Sequence, residues 1–319
     1  MKSLALLFPG QGSQSVGMHQ DYIAAKPELA AYLEQSDSIL GYKLSELFLS
    51  GEEEELKKTE HTQPALYITG ALSYNLLCEA GIQATHAAGH SLGEYTALYA
   101  AGAFDYETGL RLVQARGKAF AEAGRVQAGS MAAVLGLAGE TVREICRNVQ
   151  TQENLVVVPA NFNDPSQTVI SGSPEGVNRA CELAKEAGAK RALVLPVSGA
   201  FHSPLVESAG AVMKVQLAAA QVLPPSLKFV NNVEAAFLSE PESIRTSLVK
   251  QVTSSVRWVE SIETLIQAGV TTFVEVGAGK VLSGLVRRIN KEVTVHTTET
   301  HAKLLETIDT LTAEGFTAS

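Results

Sequence analysis

The sequence predicts an α/β protein: a parallel sheet with helices on both faces, interrupted by an inserted subdomain. Three observations predict this. Short apolar strands alternate with helical segments at both ends of the chain, the pattern of a helix-covered parallel sheet. One strand runs into Gly89-His90-Ser91-Leu92-Gly93, a G-x-S-x-G, and a helix follows at once. Between residues 129 and 197 the order becomes strand–helix–strand–strand–helix–strand, the βαββαβ order of a ferredoxin-like unit. The expected division is a core of residues 1–128 and 198–319 and an insert of residues 129–197.

The elements follow in order. "LALLF" from Leu4 is an apolar run stopped by Pro9-Gly10, a buried strand. A glycine-rich loop leads to a helix expected over Gln20–Gln35, and "GEEEELKK" from Gly51 reads as a solvated helical turn. Thr62–Gly81 has helical periodicity and closes on a glycine. "THAAGH" is a strand, "LGEYTALYAAG" a helix, and Tyr106–Gly124 another helix. In the insert, "SMAAVLGL", "NLVVVPANF", "QTVISG" and "KRALVLPV" are strands. The helices are "GETVREICRNVQ" and a segment opening Ser173-Pro174, a cap followed by proline at the first helical position. Beyond it come a helix from Ser208, the strand "LKFVNNV", helices from Glu242 and Trp258, the strand "TTFVEVG" and a helix from Lys280. His296 and His301 fall in what reads as a polar tail.

Composition narrows the function. The chain has 319 residues, 45% hydrophobic and 18% charged, with formal net charge -9. A nucleic-acid partner needs a basic face and is not expected. No stretch approaches the ~18 apolar residues of a membrane helix, and "MKSLALLFPG" is too short for a signal h-region. A cytoplasmic protein is expected. Cys78, Cys146 and Cys181 are far apart and lack C-x-x-C spacing. They read as small buried apolar side chains, with no disulfide framework and no metal.

A serine on a strand-to-helix turn is lifted above the sheet, where it can act as a nucleophile. It needs a base. Of the seven histidines, His90 adjoins Ser91 but its side chain diverges. His19, His61 and His86 lie near segment ends, where surface or capping roles suffice. His202 lies in "LPVSGAFHSPL", a loop at a strand end stiffened by Pro204, where α/β active sites collect. No Asp or Glu stands out as its partner. A backbone carbonyl would serve, because the orienting group need only accept the Nδ1 proton.

Seven segments then occur in order: "FPGQGSQSVGM", "TQPAL", "GHSLGEYTAL", "QARGKAF", "GAFHSPL", "NNV" and "EVGAGKVLSGL". Together they resemble the malonyl-CoA:acyl carrier protein transacylase family from about Leu4 to Asn290. The resemblance implies an α/β-hydrolase-like core with a ferredoxin-like insert. It implies Ser91 as nucleophile, His202 as general base and acid, and the N–H groups of Gln11 and Leu92 as oxyanion hole. It places the histidine-orienting carbonyl at Gln251, a malonyl carboxylate anchor at Arg116, and acyl selectivity at Phe201. Asn161 is a further expected substrate contact. Malonyl-CoA is then the donor and the phosphopantetheine thiol of acyl carrier protein the acceptor, with no permanently bound cofactor and a monomeric enzyme. "GAGK" and "SPLV" depart slightly from the commoner family forms. A polyketide-serving acyltransferase shares every one of these residues. Of the further readings, the Arg116 helix and the absent acid weigh against a serine esterase or thioesterase, and the intact Ser91/His202 pair weighs against a silent binding module. Two basic clusters could meet a carrier: Lys185, Lys190 and Arg191, or Lys280, Arg287, Arg288 and Lys291.

Overall fold

The computed structural model describes residues 2–197 and 199–317. In chain order the strands are β1 (Leu4–Phe8), β2 (His86–Gly89), β3 (Ser130–Leu135), β4 (Val157–Asp164), β5 (Gln167–Gly172) and β6 (Arg191–Val194). They continue as β7 (Lys228–Val230), β8 (Phe237–Leu238), β9 (Thr272–Glu275) and β10 (Thr294–Thr297). The first sheet is six-stranded in the order β10-β9-β1-β2-β7-β8. All its neighbours are parallel except β8, which pairs antiparallel with β7. All of β1 is buried, and alternate residues enter different cores. Leu4, Leu6 and Phe8 join the helices Thr59–Glu79 and Tyr106–Val126; Ala5 and Leu7 join Trp258–Gln267 and Val281–Ile289. A strand covered on both faces needs apolar residues at every position, which is why "LALLF" shows no alternation.

The second sheet is four-stranded, ordered β4-β5-β3-β6, and every pair is antiparallel. The helices Gly139–Glu153 and Pro174–Glu186 cover one face, with Ala132, Val134 and Ile170 beneath them. The alternate residues Met131 and Val169 turn the other way and join the main core. The β4 edge is fastened to the first unit: Phe162 N–H donates to Val256 O at 2.9 Å, and Val256 N–H to Ala160 O at 2.8 Å. Arg288 Nε meets Asp164 Oδ2 at 2.6 Å. The predicted return to the core at residue 198 lies outside the described residues.

Several expectations need correction. The helix predicted over Gln20–Gln35 is two helices, Gln20–Ala25 and Ala30–Leu40, broken at Pro27 and extending further. The polar tail is ordered: His296 lies in β10, paired with β9, and His301 opens the helix His301–Ala313. Cys146 and Cys181 are buried as expected, but Cys78 is exposed. His19 and His86 are buried rather than peripheral. His19 Nε2 lies 2.7 Å from Ser73 Oγ, and burial lowers its pKa to about 4. Among the described residues, no helix is long and apolar enough to cross a membrane.

Candidate active site

The site sits at the carboxyl ends of β1, β2 and β7, where loops leave a parallel sheet and ligands bind. After β2 the chain turns sharply into the helix Gly93–Ala100, and Ser91 at the turn has φ 53°. That left-handed conformation is unfavourable for a serine and persists only where its surroundings enforce it. Packing does so here. A Cβ on Gly89 would lie 1.9 Å from Gly93 C, and one on Gly93 would lie 2.0 Å from Phe8 O. Both glycines are therefore required. Asn232, just beyond β7, clamps the turn: its Oδ1 accepts from Ser91 N–H at 2.8 Å, and its Nδ2 donates to Gly89 O at 2.7 Å.

His202 also has a left-handed backbone, φ 58°, and its side chain reaches Ser91. Nε2 lies 2.8 Å from Ser91 Oγ, and Nδ1 lies 2.8 Å from Gln251 O. A carbonyl only accepts, so Nδ1 carries the proton and Nε2 is free to accept the serine hydroxyl. Burial, with the Arg116 charge beside it, lowers the His202 pKa to about 3. The imidazole is therefore neutral at physiological pH. His90 points elsewhere: its Nε2 lies 2.8 Å from Asn163 Oδ1 and its ring packs edge-on against Trp258.

Arg116 is 1% exposed on the helix Tyr106–Val126. Its Nη1 donates to Gln63 Oε1 at 2.8 Å. Its Nη2 donates to Gln251 Oε1 at 2.8 Å and to Ser91 Oγ at 3.1 Å. The guanidinium lies over Phe120, 4.5 Å from the ring centroid. Burial lowers its pKa, opposed by Tyr95 and Glu94. Among the described residues no carboxylate forms an ion pair with it. A buried cation held by neutral acceptors is a place where a ligand's carboxylate can complete the pairing.

These groups face one cavity of about 300 Å³ between the two sheets, lined by Gln11, Leu92, Asn161 and Phe201 as well as Ser91, Arg116 and His202. Gln11 arrives there because the loop after β1 packs on the elbow; a Cβ on Gly10 would lie 2.5 Å from His90 O. Neither Gln11 N–H nor Leu92 N–H has a hydrogen-bond partner among the described residues. Both residues line the cavity that holds the Ser91 hydroxyl, and a developing oxyanion there needs such unengaged N–H groups. Phe201 packs edge-on against Phe120 with ring centroids 4.9 Å apart. Asn161 is buried on β4.

All of the sequence-predicted site residues thus meet around one cavity, and Gln251 joins them through its main-chain carbonyl. Three further residues belong here and were missed: Gln63, Asn232 and Glu94. Each lies inside a segment quoted above, in "TQPAL", "NNV" and "GHSLGEYTAL". The signal was present, but nothing in the sequence says which polar side chain turns inward.

The acyl transferase domain family matches residues 5–313. The chain is 43% identical over 293 residues to the malonyl CoA-acyl carrier protein transacylase of Bacillus subtilis, covering 92% of each chain. Against that of Escherichia coli K12 it is 42% identical over 290 residues, covering 91% of this chain and 93% of the other. Among solved structures, the acyl-carrier-protein S-malonyltransferase of Burkholderia pseudomallei aligns with TM-score 0.92 at 42% identity, over 97% of this chain and 100% of that one. A malonyl-transacylase solved in complex with its type II PKS acyl-carrier protein aligns with TM-score 0.92 at 38% identity, over 97% and 100%. The chain therefore belongs to the acyl transferase family, alongside these malonyl CoA-acyl carrier protein transacylases.

Proposed function

We propose that the protein transfers a malonyl group from malonyl-CoA to acyl carrier protein by ping-pong chemistry through a seryl ester on Ser91. The observation that carries this reading is the Arg116 guanidinium 3.1 Å from Ser91 Oγ. A buried cation beside a nucleophile suits an acyl group with its own carboxylate; an esterase or thioesterase acting on neutral acyl groups has no use for it.

His202 Nε2 takes the Ser91 proton as Oγ attacks the thioester carbonyl carbon. The N–H groups of Gln11 and Leu92 hold the oxyanion. Its collapse breaks the C–S bond, and CoA leaves with the proton from His202 Nε2. The carrier's phosphopantetheine thiol then gives its proton to His202 and attacks the seryl ester. The C–O bond breaks and Ser91 recovers its proton. Gln251 O holds the imidazole in one tautomer through both halves. Arg116 holds the malonyl carboxylate, Phe201 limits the acyl pocket, and Asn161 adds a polar contact. These steps draw on one chain and the two substrates, and the reading keeps a cytoplasmic monomer without a resident cofactor. In this reading residues 1–128 and 198–319 supply the nucleophile, base and anchor, and the insert of residues 129–197 roofs the cavity. The likeness to a carrier-bound type II PKS transacylase keeps a polyketide carrier beside a fatty-acid one as acceptor.

The test is intact-protein mass spectrometry with malonyl-CoA, with and without holo carrier protein. The enzyme should gain one malonyl group on the Ser91 peptide and lose it when carrier is added. Equal labelling of Ser91→Ala would sink the assignment.

A further inference from the structure

Glu94 follows the elbow and is fully buried at 0% exposure, yet no step above uses it. Its two oxygens meet two different donors. Oε1 accepts from Asn232 N–H at 2.7 Å, and Oε2 accepts from Gln251 Nε2. Those two residues hold the nucleophile's backbone from opposite sides. Asn232 Oδ1 takes Ser91 N–H, and Gln251 Nε2 also donates to Ser91 O at 2.8 Å. Gln251 further supplies Oε1 to Arg116 and its main-chain carbonyl to His202.

We propose that Glu94 is a positioning residue for acyl transfer: it anchors Gln251 and Asn232 together, and through them sets the placement of Ser91 and of the Arg116 anchor. The inference rests on the malonyl-transfer reading above. Its logic is donor counting. An amide has one accepting end and one donating end. Arg116 can only donate, so Gln251 Oε1 must face it, leaving Nε2 for acceptors. Ser91 O is one acceptor and Glu94 the other. Both Glu94 oxygens face N–H groups, which suits a carboxylate. Burial pushes its pKa up to about 8 against the two donors and the Arg116 charge. Each oxygen already accepts from an N–H and, among the described residues, neither faces an acceptor for a proton. The geometry is that of the anion, and protonation would break the pairing.

Glu94→Gln keeps the shape but replaces one acceptor by a donor. Either Gln251 Nε2 or Asn232 N–H then faces another N–H and must move. Arg116 loses a fixed acceptor when Gln251 moves. The malonyl-CoA over acetyl-CoA preference in kcat/KM should therefore fall about tenfold, the scale of one charge-assisted hydrogen bond. Both rates should fall as Ser91 is displaced, malonyl more steeply. Glu94→Asp, which keeps the charge with a shorter reach, should fall between wild type and Glu94→Gln. A merely structural role would lower the folded fraction and leave the ratio alone. So an unchanged ratio in Glu94→Gln, measured per folded enzyme, overturns the proposal, and so does failure of both variants to fold. Absence of malonyl transfer in the wild type would instead overturn the functional reading itself.

Discussion

The His202 ring is oriented by a main-chain carbonyl: Nδ1 lies 2.8 Å from Gln251 O, and no acid takes that place. A carboxylate there would hold the imidazolium by charge and raise its pKa. A neutral carbonyl does less, and burial with the Arg116 charge lowers the pKa to about 3.

The pH dependence follows. His202 stays neutral well below its ordinary 6.5, so kcat/KM for malonyl-CoA should show no acid limb near 6.5. A fall that begins near pH 8 belongs to Glu94 and should be lost in Glu94→Gln. A limb near 6.5 would show that the base titrates as if exposed. Stability carries the opposite sign. Between about 3 and 6.5 the unfolded imidazole binds the proton that the folded one refuses, so stability falls as pH drops through that window. His19, lowered to about 4, acts in the same direction. Glu94 and Glu275, which burial raises to about 8 and about 7, act in the opposite direction. The histidine contribution is therefore read by urea unfolding at pH 7 and pH 5, as a shift toward greater relative stability at pH 5 in His19→Gln compared with wild type.

Arg116→Ala should cost malonyl transfer about 10²–10³-fold, since removing one partner of a buried pair costs ~3–5 kcal/mol. Acetyl transfer should persist or rise, because the cation awaiting a partner is gone. Arg116→Lys should recover part of the loss, as one ammonium cannot reproduce two parallel bonds. An equal fall for both thioesters would mean that Arg116 supports the fold.

Gly93→Ala tests the elbow. Its Cβ would lie 2.0 Å from Phe8 O, a backbone atom in a buried strand that cannot yield. The substitution should cost ~4 kcal/mol or more, or prevent folding. Gly188→Ala is the control: its φ is 93°, but nothing lies within 4 Å of the new methyl, so only backbone strain is added. Thermal melts compare the two, and a Gly93→Ala protein as stable as the control would contradict the packing.

Phe201 packs on Phe120, and Phe120 on Arg116, so one side of the cavity is walled by rings. Phe201→Ser should raise the methylmalonyl-to-malonyl ratio of kcat/KM by about tenfold, within the range one methyl group allows. An unchanged ratio would remove Phe201 from selectivity.

The two basic clusters are not equivalent. Arg288 is committed to the buried carboxylate of Asp164 at 2.6 Å, whereas Lys185, Lys190 and Arg191 are exposed and have no ion pair among the described residues. Charge reversal at Lys190 and Arg191 should raise KM for carrier protein, leave KM for malonyl-CoA alone, and weaken with salt. Arg288→Glu should lower stability by leaving Asp164 unpaired. Unchanged carrier kinetics in the first variant would take that cluster out of docking.

How much of this was legible depended on how local the physics is. The elbow could be read directly, because two glycines and a serine between a strand and a helix define their own geometry within five residues. The apolar strands and the insert order could be read for the same reason: each pattern is set by near neighbours in the chain. His202 was found as a loop histidine at a strand end. Arg116, by periodicity alone, is one more arginine on a helix; only packing against Phe120, Gln63 and Gln251 makes it a buried cation. Gln251 orients His202 through a carbonyl that every residue possesses, so no residue type could announce it. Asn232 and Glu94 act on Ser91 and Gln251 across separations of 141 and 157 residues. The buried histidines and the ordered tail were misread because burial and edge pairing with β9 belong to the assembled sheet. The sequence determined the strand, the turn and the kinds of side chain available; the tertiary fold decided which of them lose water and face one another, because desolvation and hydrogen-bond pairing arise only when distant segments close on a common cavity.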